Sequence, residues 1–328
     1  MNRISGKLAL ITGASSGIGL ACARRFAAEG ADLVLWARRQ DRLREIAAEL
    51  TAGPGVAVRT AAVDVRDRAA VTRAADALVR DGAVPDILLN NAGLASGLAK
   101  LHEGDPDDWD LMIDTNVKGL LWVTRALLPH MVAKGRGHVV NIGSSAGHQV
   151  YPMGNVYHAT KFAVRALNEA INVDLAGTPL RCSSVDPGYV TTEFARVRFK
   201  GDEGRAKRTY EGFTPLAPED VADLVTYIVN LPEHVNILEA RIFPTAQRNQ
   251  HVIHREPAPR SGEARAGARA VDCRHSTVDG ETIGSAFSTA SFSASRSSRT
   301  PVPPSGTARR RRTRRSGRSR RSRLPRAR

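Results

Sequence analysis

The sequence predicts an α/β protein built from a seven-stranded parallel sheet with helices on both faces, followed by a disordered C-terminal tail. Three observations support this prediction. Seven short apolar stretches alternate with stretches of helical periodicity. A glycine-rich turn separates the first apolar stretch from the first helical one. After about residue 255 the alternation stops, and the composition shifts to Ser, Ala, Thr and Arg.

The expected elements follow from apolar periodicity and glycine punctuation. The first helix carries Ile18, Cys22 and Phe26 at intervals of four and ends at Gly30. Strands are expected at 7–11, 32–36, 56–65, 87–90, 138–142, 180–185 and near 237–243. Helices are expected at 17–29, 41–50, 69–79, 106–115, 117–134, 155–175 and 218–231. Because strands and helices alternate regularly, the strands are expected to be parallel.

The charge of the chain is unevenly distributed. The 328 residues include 48 basic and 33 acidic ones, a net charge of +15. Residues 255–328 contain 19 Arg, no Lys and 5 acidic residues, a net of +14, so residues 1–254 hold 29 basic and 28 acidic residues. The charge divides the chain into a nearly neutral domain, 1–254, and a basic tail, 255–328. The tail cannot bury enough apolar area to offset its ordering entropy, so we expect it to be disordered.

Composition excludes several classes of protein. The three cysteines, Cys22, Cys182 and Cys273, are too far apart for a disulfide framework or a zinc motif, so no metal is expected. No apolar run approaches the roughly 18 residues that a membrane span needs. The N-terminus has only the short apolar run 8–11, which does not resemble a secretory signal. A reducing, cytoplasmic location is therefore expected.

The glycine-rich turn predicts a nucleotide site. It reads Thr12-Gly13-Ala14-Ser15-Ser16-Gly17-Ile18-Gly19, between the first strand and the first helix. Its glycines permit a tight turn, and the helix N-terminus beyond it favours a pyrophosphate. A glycine triplet alone is weak evidence, because such turns are also common punctuation. The strand–turn–helix context makes a Rossmann-type dinucleotide site the better interpretation.

The end of the second strand indicates which nucleotide is bound. NAD enzymes usually place Asp or Glu there for the ribose 2′-hydroxyl. This chain has Ala37-Arg38-Arg39 and no acidic residue from 34 to 39. A guanidinium binds a 2′-phosphate that a carboxylate would repel. The alternative is two solvated arginines, but NADP is the expected cofactor.

A tyrosine and a lysine form the candidate reaction centre. Tyr157 and Lys161 lie four residues apart on a predicted helix and therefore share one face. A nearby ammonium favours the phenolate and makes the tyrosine a usable acid or base. Ser144 and Ser145 close the preceding strand at its carboxyl end, where ligands bind in open α/β sheets. A hydroxyl there can hold a carbonyl or an alcohol beside the tyrosine.

With these motifs, the chain resembles the short-chain dehydrogenase/reductase family over roughly residues 5–250. The resemblance rests on residues 12–19, Asp64, 90–93, Asn116, Ser144, Tyr157, Lys161 and 187–188. It implies a catalytic tetrad of Asn116, Ser144, Tyr157 and Lys161, with Ser144 chosen over Ser145 by its spacing from the tyrosine. It also implies a homotetramer and a set of cofactor-binding residues: Gly13, Ser15, Ser16, Gly17, Ile18, Gly19, Arg38, Arg39, Asp64, Val65, Asn91, Tyr157, Lys161, Pro187, Gly188, Val190 and Thr192.

Within that family the chain is most similar to the NADP-dependent 3-hydroxy acid dehydrogenases. The similarity is carried by 109–119, 155–162, 193–202 and 231–237. It implies a short hydroxy acid or hydroxy amino acid as substrate, held by Ser144 and Tyr157. Arg196, Arg198 and Lys200 could supply a cation for its carboxylate, and Arg198 is the candidate ligand. The alternative, that these cations make surface or subunit contacts, is the favoured interpretation at this point.

Two other functions stay open at this stage. The first is a carbonyl or 3-oxoacyl thioester reductase of the same family. The second is a nucleic-acid-associated protein that binds weakly and nonspecifically through its Arg-rich tail. The tail has no aromatic platform and no recognisable nucleic-acid fold, and it also resembles translated out-of-frame GC-rich sequence.

Overall fold

The computed structural model describes residues 2–256 and contains a single sheet of seven strands within them. The strands are β1 (Leu8–Thr12), β2 (Asp32–Ala37), β3 (Val58–Ala62), β4 (Ile87–Asn90), β5 (His138–Ile142), β6 (Arg181–Pro187) and β7 (Glu239–Ile242). Every neighbouring pair is parallel, and their order is β3-β2-β1-β4-β5-β6-β7. The predicted Rossmann-type fold is confirmed. Each predicted strand is present: β4 and β5 have the predicted ends, and the ends of the other five differ by at most three residues.

The helices alternate with the strands as the periodicity predicts. They are α1 (Gly17–Ala28), α2 (Gln40–Ala52), α3 (Arg68–Arg80), α4 (Pro106–Ile113), α5 (Leu120–Lys134), α6 (Asn155–Asp174), α7 (Phe194–Arg198), α8 (Glu203–Arg208) and α9 (Pro218–Val229). The short helices α7 and α8 were not predicted, because five or six residues give too little periodicity to be detected. Residues Asp114–Gly119, between α4 and α5, form a π-helical turn.

The strands have apolar residues on both faces because both faces of the sheet are covered. On one side Ile11 and Leu35 pack with residues of α1, α2 and α9. On the other side Leu10 and Val34 pack with residues of α3, α5 and α6. Neighbouring residues of one strand therefore belong to different halves of the core, as the two-residue repeat of a strand requires. This packing fixes the carboxyl ends of the strands at one edge.

Two residues of the predicted tail belong to the described part of the chain. The Arg255 guanidinium donates to the carbonyl oxygens of Thr209 and Glu211 and lies over the Phe213 ring at 4.8 Å. The rest of the predicted tail, and with it Cys273, lies outside the described residues. Cys22 and Cys182 are buried free thiols, and burial raises the pKa of both.

A helix that crosses a membrane must be long and apolar. Between residues 2 and 256, no helix is both long enough and apolar enough to cross a bilayer.

Candidate active site

A cleft of ≈ 370 Å³ opens at the carboxyl ends of the strands. The strand order reverses between β1 and β4, and crevices at such a switch point are where open α/β sheets bind ligands. The cleft is lined by most of the residues that the sequence singled out: Gly13, Ser15, Ser16, Gly17, Ile18, Arg38, Arg39, Asp64, Val65, Asn91, Ser144, Tyr157, Lys161, Pro187, Gly188, Val190 and Thr192. Of the predicted cofactor residues, Gly19 alone is absent from this lining.

Three positions of the glycine turn require glycine. Gly13 and Gly17 have φ angles of 66° and 53°, a region that residues with a Cβ seldom adopt. A Cβ at Gly13 would lie 3.0 Å from the Ala92 backbone, and one at Gly17 would lie 3.1 Å from the Thr192 side chain. Gly19 lies beneath the turn, where a side chain would collide with the Asn91 amide and the Gly13 carbonyl. Gly19 therefore shapes the turn from behind.

The N-terminus of α1 is available to an anion. Ser16 occupies the N-cap position, but its side chain makes no capping hydrogen bond, and the first turn contains no acidic residue. The first N–H groups of a helix have no partner within the helix, and the helix dipole favours negative charge there. Ser15, Ser16 and Ile18 all line the cleft at this point. The turn therefore fits the pyrophosphate of a dinucleotide.

Two arginines lie on the rim beyond β2. The Arg39 side chain donates to Ser15 through Nε, 3.1 Å from Oγ, and pairs with Glu193 at 3.0 Å. Arg38 is exposed and makes no side-chain hydrogen bond or ion pair with the described residues. The site thus offers one uncommitted guanidinium and one held by an acidic residue that the sequence reasoning did not include.

Asp64 and Asn91 use their side chains to build the cleft. The Asp64 carboxylate accepts from Nε and Nη2 of Arg66, which holds the pKa of that carboxyl below its usual range. The Asn91 amide donates to the carbonyl oxygen of Thr12 at 2.9 Å. Asn91 therefore fixes the start of the glycine turn while facing the cleft. Val65 lines the cleft beside Asp64.

Tyr157 is only 7% exposed and lies where the cleft meets a smaller side pocket. Burial raises the pKa of its phenol, while the neighbouring Ser144 hydroxyl and the charge of Arg198 oppose that rise. The Ser144 hydroxyl also accepts from the backbone N–H of Ala146 at 3.0 Å, which orients it. The Phe194 ring packs on Tyr157 with 5.5 Å between centroids. The structure therefore brings Tyr157 and Ser144 together, as predicted.

Lys161 lies one turn further along α6. It is 8% exposed, and its Nζ donates to the carbonyl oxygen of Ile142 at 2.9 Å. Burial lowers the pKa of this ammonium to about 8, and the charge of Asp186 opposes the decrease. In the chain without cofactor, Ser144 and Arg198 are the groups that oppose the rise in the pKa of Tyr157, and the effect of Lys161 on the tyrosine stays a prediction.

Asn116 lies in the π-helical turn, a distortion that often occurs at functional sites. Its side chain is buried, accepts from the N–H of Leu94 at 2.8 Å, and donates to Leu94 O at 2.8 Å and to Thr160 Oγ1 at 3.0 Å. A Cβ on Gly93 would meet Asn116 Oδ1 at 3.2 Å and Lys161 Nζ at 3.7 Å, so both side chains flank that glycine. The side-chain amide of Asn116 is therefore committed to partners within the protein.

Arg198 lies in the smaller side pocket, which it shares with Tyr157, Trp109 and Asn155. Its Nη1 donates to the Tyr151 hydroxyl at 2.6 Å and its Nε to the Gly97 carbonyl at 3.2 Å. The guanidinium carbon is 5.7 Å from the centre of the Tyr157 ring. The other two cations of this segment lie differently: Lys200 pairs with Asp105 and Asp108, and Arg196 is exposed near Glu203.

Sequence reasoning missed three contributors: Glu193, Phe194 and Tyr151. Each reaches the site only through folding, since Glu193 contacts an arginine 154 residues away and Tyr151 contacts one 47 residues away. Nothing in the sequence pairs these positions. His158, beside the tyrosine in the sequence, contacts backbone groups of Ala146 and Tyr151 with its two ring nitrogens, which explains it as a structural residue.

Comparisons with known proteins give a consistent result. A family model described as short chain dehydrogenase matches residues 7–203. The NADP-dependent 3-hydroxy acid dehydrogenase of Salmonella typhi is 46% identical over 241 residues, which is 73% of this chain and 96% of that protein. Sulfoacetaldehyde reductase 2 of Chromohalobacter salexigens is 45% identical over 241 residues, 73% of this chain and 95% of that protein. A closed form of serine dehydrogenase complexed with NADP+ matches with a TM-score of 0.71 and 43% identity, covering 76% of this chain and 100% of that one.

Proposed function

The chain belongs to the short-chain dehydrogenase family, and from that premise we propose that it oxidises the hydroxyl group of short 3-hydroxy acids or hydroxy amino acids. It is an NADP-dependent oxidoreductase that acts on CH–OH donors. The proposal concerns the substrate: serine, L-allo-threonine or 3-hydroxyisobutyrate in the oxidative direction, and the matching semialdehyde or ketone in the other.

The observation that carries the proposal is the position of Arg198. Its guanidinium lies in a narrow side pocket that opens directly on the Tyr157 ring. Two of its N–H groups are used by Tyr151 and Gly97, and no acceptor among the described residues takes those of Nη2. A guanidinium binds a carboxylate through two parallel hydrogen bonds. A substrate whose acid group contacts Arg198 would therefore have its hydroxyl close to Tyr157.

The relatives support an anionic substrate. The Salmonella protein is named for hydroxy acids, the solved structure for serine, and the Chromohalobacter protein for sulfoacetaldehyde. Each of these compounds is small and carries a carboxylate or sulfonate within a few bonds of the reacting carbon. The side pocket, at ≈ 30 Å³, is also small. The alternative of a 3-oxoacyl thioester reductase requires space for a long acyl carrier, and no observation on the site favours it.

The roles of the chain's own groups follow from their positions. Tyr157 would exchange a proton with the substrate oxygen, and Ser144 would hold that oxygen beside it. Lys161 would supply the positive charge that makes the phenolate accessible, and Asn116 would position a water that relays the proton. When bound, NADP supplies the hydride acceptor. Arg38 and Arg39 would hold its 2′-phosphate, the glycine turn its pyrophosphate, and residues 187–192 would lie along its reactive end.

A substrate panel with matched variants tests the proposal. Wild-type protein with NADP is offered serine, L-allo-threonine, 3-hydroxyisobutyrate and hydroxyethanesulfonate, and with NADPH an acetoacetyl thioester. Arg198→Ala is expected to raise KM for the carboxylates about 10–150-fold and to change thioester reduction little. Arg196→Ala, two residues away and exposed, is the control.

Two results would contradict the proposal. If the thioester is the best substrate, the chain is a reductase of larger carbonyl compounds. If Arg198→Ala and Arg196→Ala behave alike toward hydroxy acids, Arg198 is a structural residue and the substrate anion is held elsewhere.

A further inference from the structure

Asp186 is a buried carboxylate whose presence the proposed reaction does not explain. It lies near the end of β6, immediately before the cleft residues Pro187 and Gly188, and is 1% exposed. No lysine or arginine of the described chain is within ion-pair distance of it. A buried carboxylate is costly unless hydrogen bonds and an opposite charge compensate it. Asp186 therefore requires compensating partners inside the fold.

Hydrogen bonds hold both oxygens of Asp186. The Ser184 hydroxyl donates to Oδ1 at 2.6 Å, and Nε2 of His148 contacts Oδ2 at 2.7 Å. Burial raises the pKa of the Asp186 carboxyl, and these two contacts oppose that rise. The other ring nitrogen of His148 faces Glu239 at 3.8 Å, and Glu239 is bound by Arg165 at 3.0 Å. Asp186, His148, Glu239 and Arg165 thus form a chain of polar contacts in which acidic and basic residues alternate, and this chain runs from the buried carboxylate to the surface.

The carboxylate lies behind the proposed reaction centre. Gly143 separates it from the cleft, and a side chain at that position would overlap Asp186 Oδ1. The carbonyl of the preceding residue, Ile142, accepts the hydrogen bond from Lys161 Nζ. Asp186 is the anion whose charge acts on Lys161, and it opposes the effect of burial there. Within residues 2–256, His148 is the group paired with the carboxylate, and Asp186 is the only anion whose charge acts on the Lys161 ammonium; the two lie on either side of the Ile142–Gly143 backbone and make no direct ion pair.

We propose that Asp186 is the counter-charge of Lys161: a positioning residue, fixed by Ser184 and His148, that keeps the ammonium charged inside the protein. The inference rests on the roles proposed above for Tyr157 and Lys161. Asp186 does not touch the reacting atoms and acts through the lysine. Gly143 is required because any side chain there would displace the carboxylate.

The direction in which the pKa of Lys161 changes follows from the groups that face Lys161, Asp186 and Tyr157. Burial lowers the pKa of the Lys161 ammonium on α6, and Asp186 is the one group whose charge opposes that decrease. Asp186 is faced by Ser184 of β6, by His148 after β5 and by Glu239 of β7. Tyr157 is faced by Tyr151, Ser144 and Arg198. Removing the charge of Asp186 leaves the burial of Lys161 unopposed, so the pKa of Lys161 falls below about 8 and the ammonium is lost at a lower pH.

Two measurements test this in the folded protein. In cofactor-free protein, the ¹³Cε resonance of Lys161, assigned by its loss in Lys161→Met, is followed against pH in wild type and in Asp186→Asn. The titration midpoint is expected to fall by about one pH unit or more in the variant. In the NADP-bound enzyme, the acid limb of kcat/KM for hydroxy acid oxidation is expected to move to higher pH, because the phenolate loses its neighbouring cation.

Matched variants separate this role from a loss of folding. His148→Phe removes the ring donor and should shift both measurements in the same direction by less, whereas His148→Gln retains a donor and should restore them. Asp223→Asn, an exposed carboxylate paired with Arg25 at 3.3 Å, is the control and should change neither. If Asp186→Asn does not fold, the two measurements on His148→Phe and His148→Gln decide whether the carboxylate acts on Lys161.

Three results would overturn the inference. An unchanged Lys161 midpoint in Asp186→Asn, or in His148→Phe when Asp186→Asn is unfolded, shows that the carboxylate does not charge the lysine. A shift in Asp223→Asn of equal size shows a general electrostatic effect. Stabilisation by Zn²⁺ in wild type but not in Asp186→Asn would make the cluster a metal site, since ligand atoms of His148, Asp186 and Glu239 lie within 4.8 Å of one another. The NMR readout needs no turnover, so it can fail separately from the proposed function.

Discussion

The two ends of the cleft differ in the burial and the charge of their side chains. The basic end, formed by Arg38, Arg39, Asp64 and Arg66, consists of charged side chains that are 29–43% exposed where they form ion pairs. The tyrosine end, formed by Ser144, Tyr157 and Lys161 with Asn116 beside the lining residue Gly93, is mostly buried, and its contacts are hydrogen bonds with hydroxyls, amides and backbone carbonyls.

This difference in burial indicates how each end contributes to ligand binding and to turnover. Exposed charges attract an anionic ligand, but salt screens them and their side chains stay adaptable. Buried polar groups are strong and specific, because each has few alternative partners and water does not compete. We therefore expect the basic end to control the affinity for the cofactor and the tyrosine end to control turnover.

Tyr157→Phe should have the largest effect. The ring still packs on Phe194, but the group that exchanges the proton is removed, and proton transfer contributes about 10²–10⁴-fold to a rate. We expect kcat to fall by that factor while the Kd for NADPH, measured by fluorescence titration, stays near that of wild type. Tyr227→Phe, an exposed tyrosine on α9, is the control. Retention of more than about a tenth of kcat would show that another group transfers the proton.

Replacing both arginines at the basic end should act on affinity. In Arg38→Ala with Arg39→Ala, KM for NADP is expected to rise about 10–150-fold, because charge-assisted hydrogen bonds to the 2′-phosphate are lost. KM for NAD should change much less, and kcat should hardly change. Arg24→Ala, which removes a surface pair with Glu49, is the control. An unchanged preference between NADP and NAD would place the phosphate elsewhere.

The pH dependence should separate the two directions of the reaction. Burial raises the pKa of Tyr157, so the phenol is protonated at neutral pH. Oxidation needs the phenolate and should accelerate with rising pH, by up to about tenfold per unit below the pKa, whereas reduction needs the phenol and should slow. Initial rates in both directions at saturating cofactor measure this. Parallel pH profiles in the two directions would contradict the assignment of Tyr157 as the proton carrier.

Truncation of the tail should have the smallest effect on catalysis. A chain ending at Glu256 is expected to keep kcat and KM within about twofold, since all the site residues precede it. A chain ending at His254 is the sharper comparison, because it also loses the contacts of Arg255 with Thr209 and Glu211. A large loss in the first truncation would show that residues 257–328 support the fold or the site.

Nucleic-acid binding tests the remaining alternative for the tail. Binding of the full chain to duplex DNA should weaken with salt, with a log–log slope of about −0.9 per phosphate contacted, and should be lost on truncation. Salt-resistant, sequence-selective binding would favour a nucleic-acid function.

Local patterns were sufficient for the fold and for the principal motifs. Apolar repeats located all seven strands, and the glycine turn, Arg38-Arg39 and Tyr157-x-x-x-Lys161 are contiguous segments whose chemistry can be interpreted from their spacing. The short helices α7 and α8 were missed because one turn of helix carries no clear period. The positions of Arg198 and Glu193 could not be predicted, since their partners lie far away in the sequence.

The sequence by itself therefore determined the sheet, the nucleotide turn and the candidates for the reacting side chains, because these depend on local periodicity and on residues only a few positions apart. Tertiary structure alone decided which charges are compensated. Asp186 is unremarkable in the sequence, yet folding buries it with His148 from 38 residues earlier and places it behind Gly143, next to the residue whose carbonyl binds Lys161. Burial and charge pairing are properties of contacts between distant segments, and they set the protonation states on which the proposed chemistry depends.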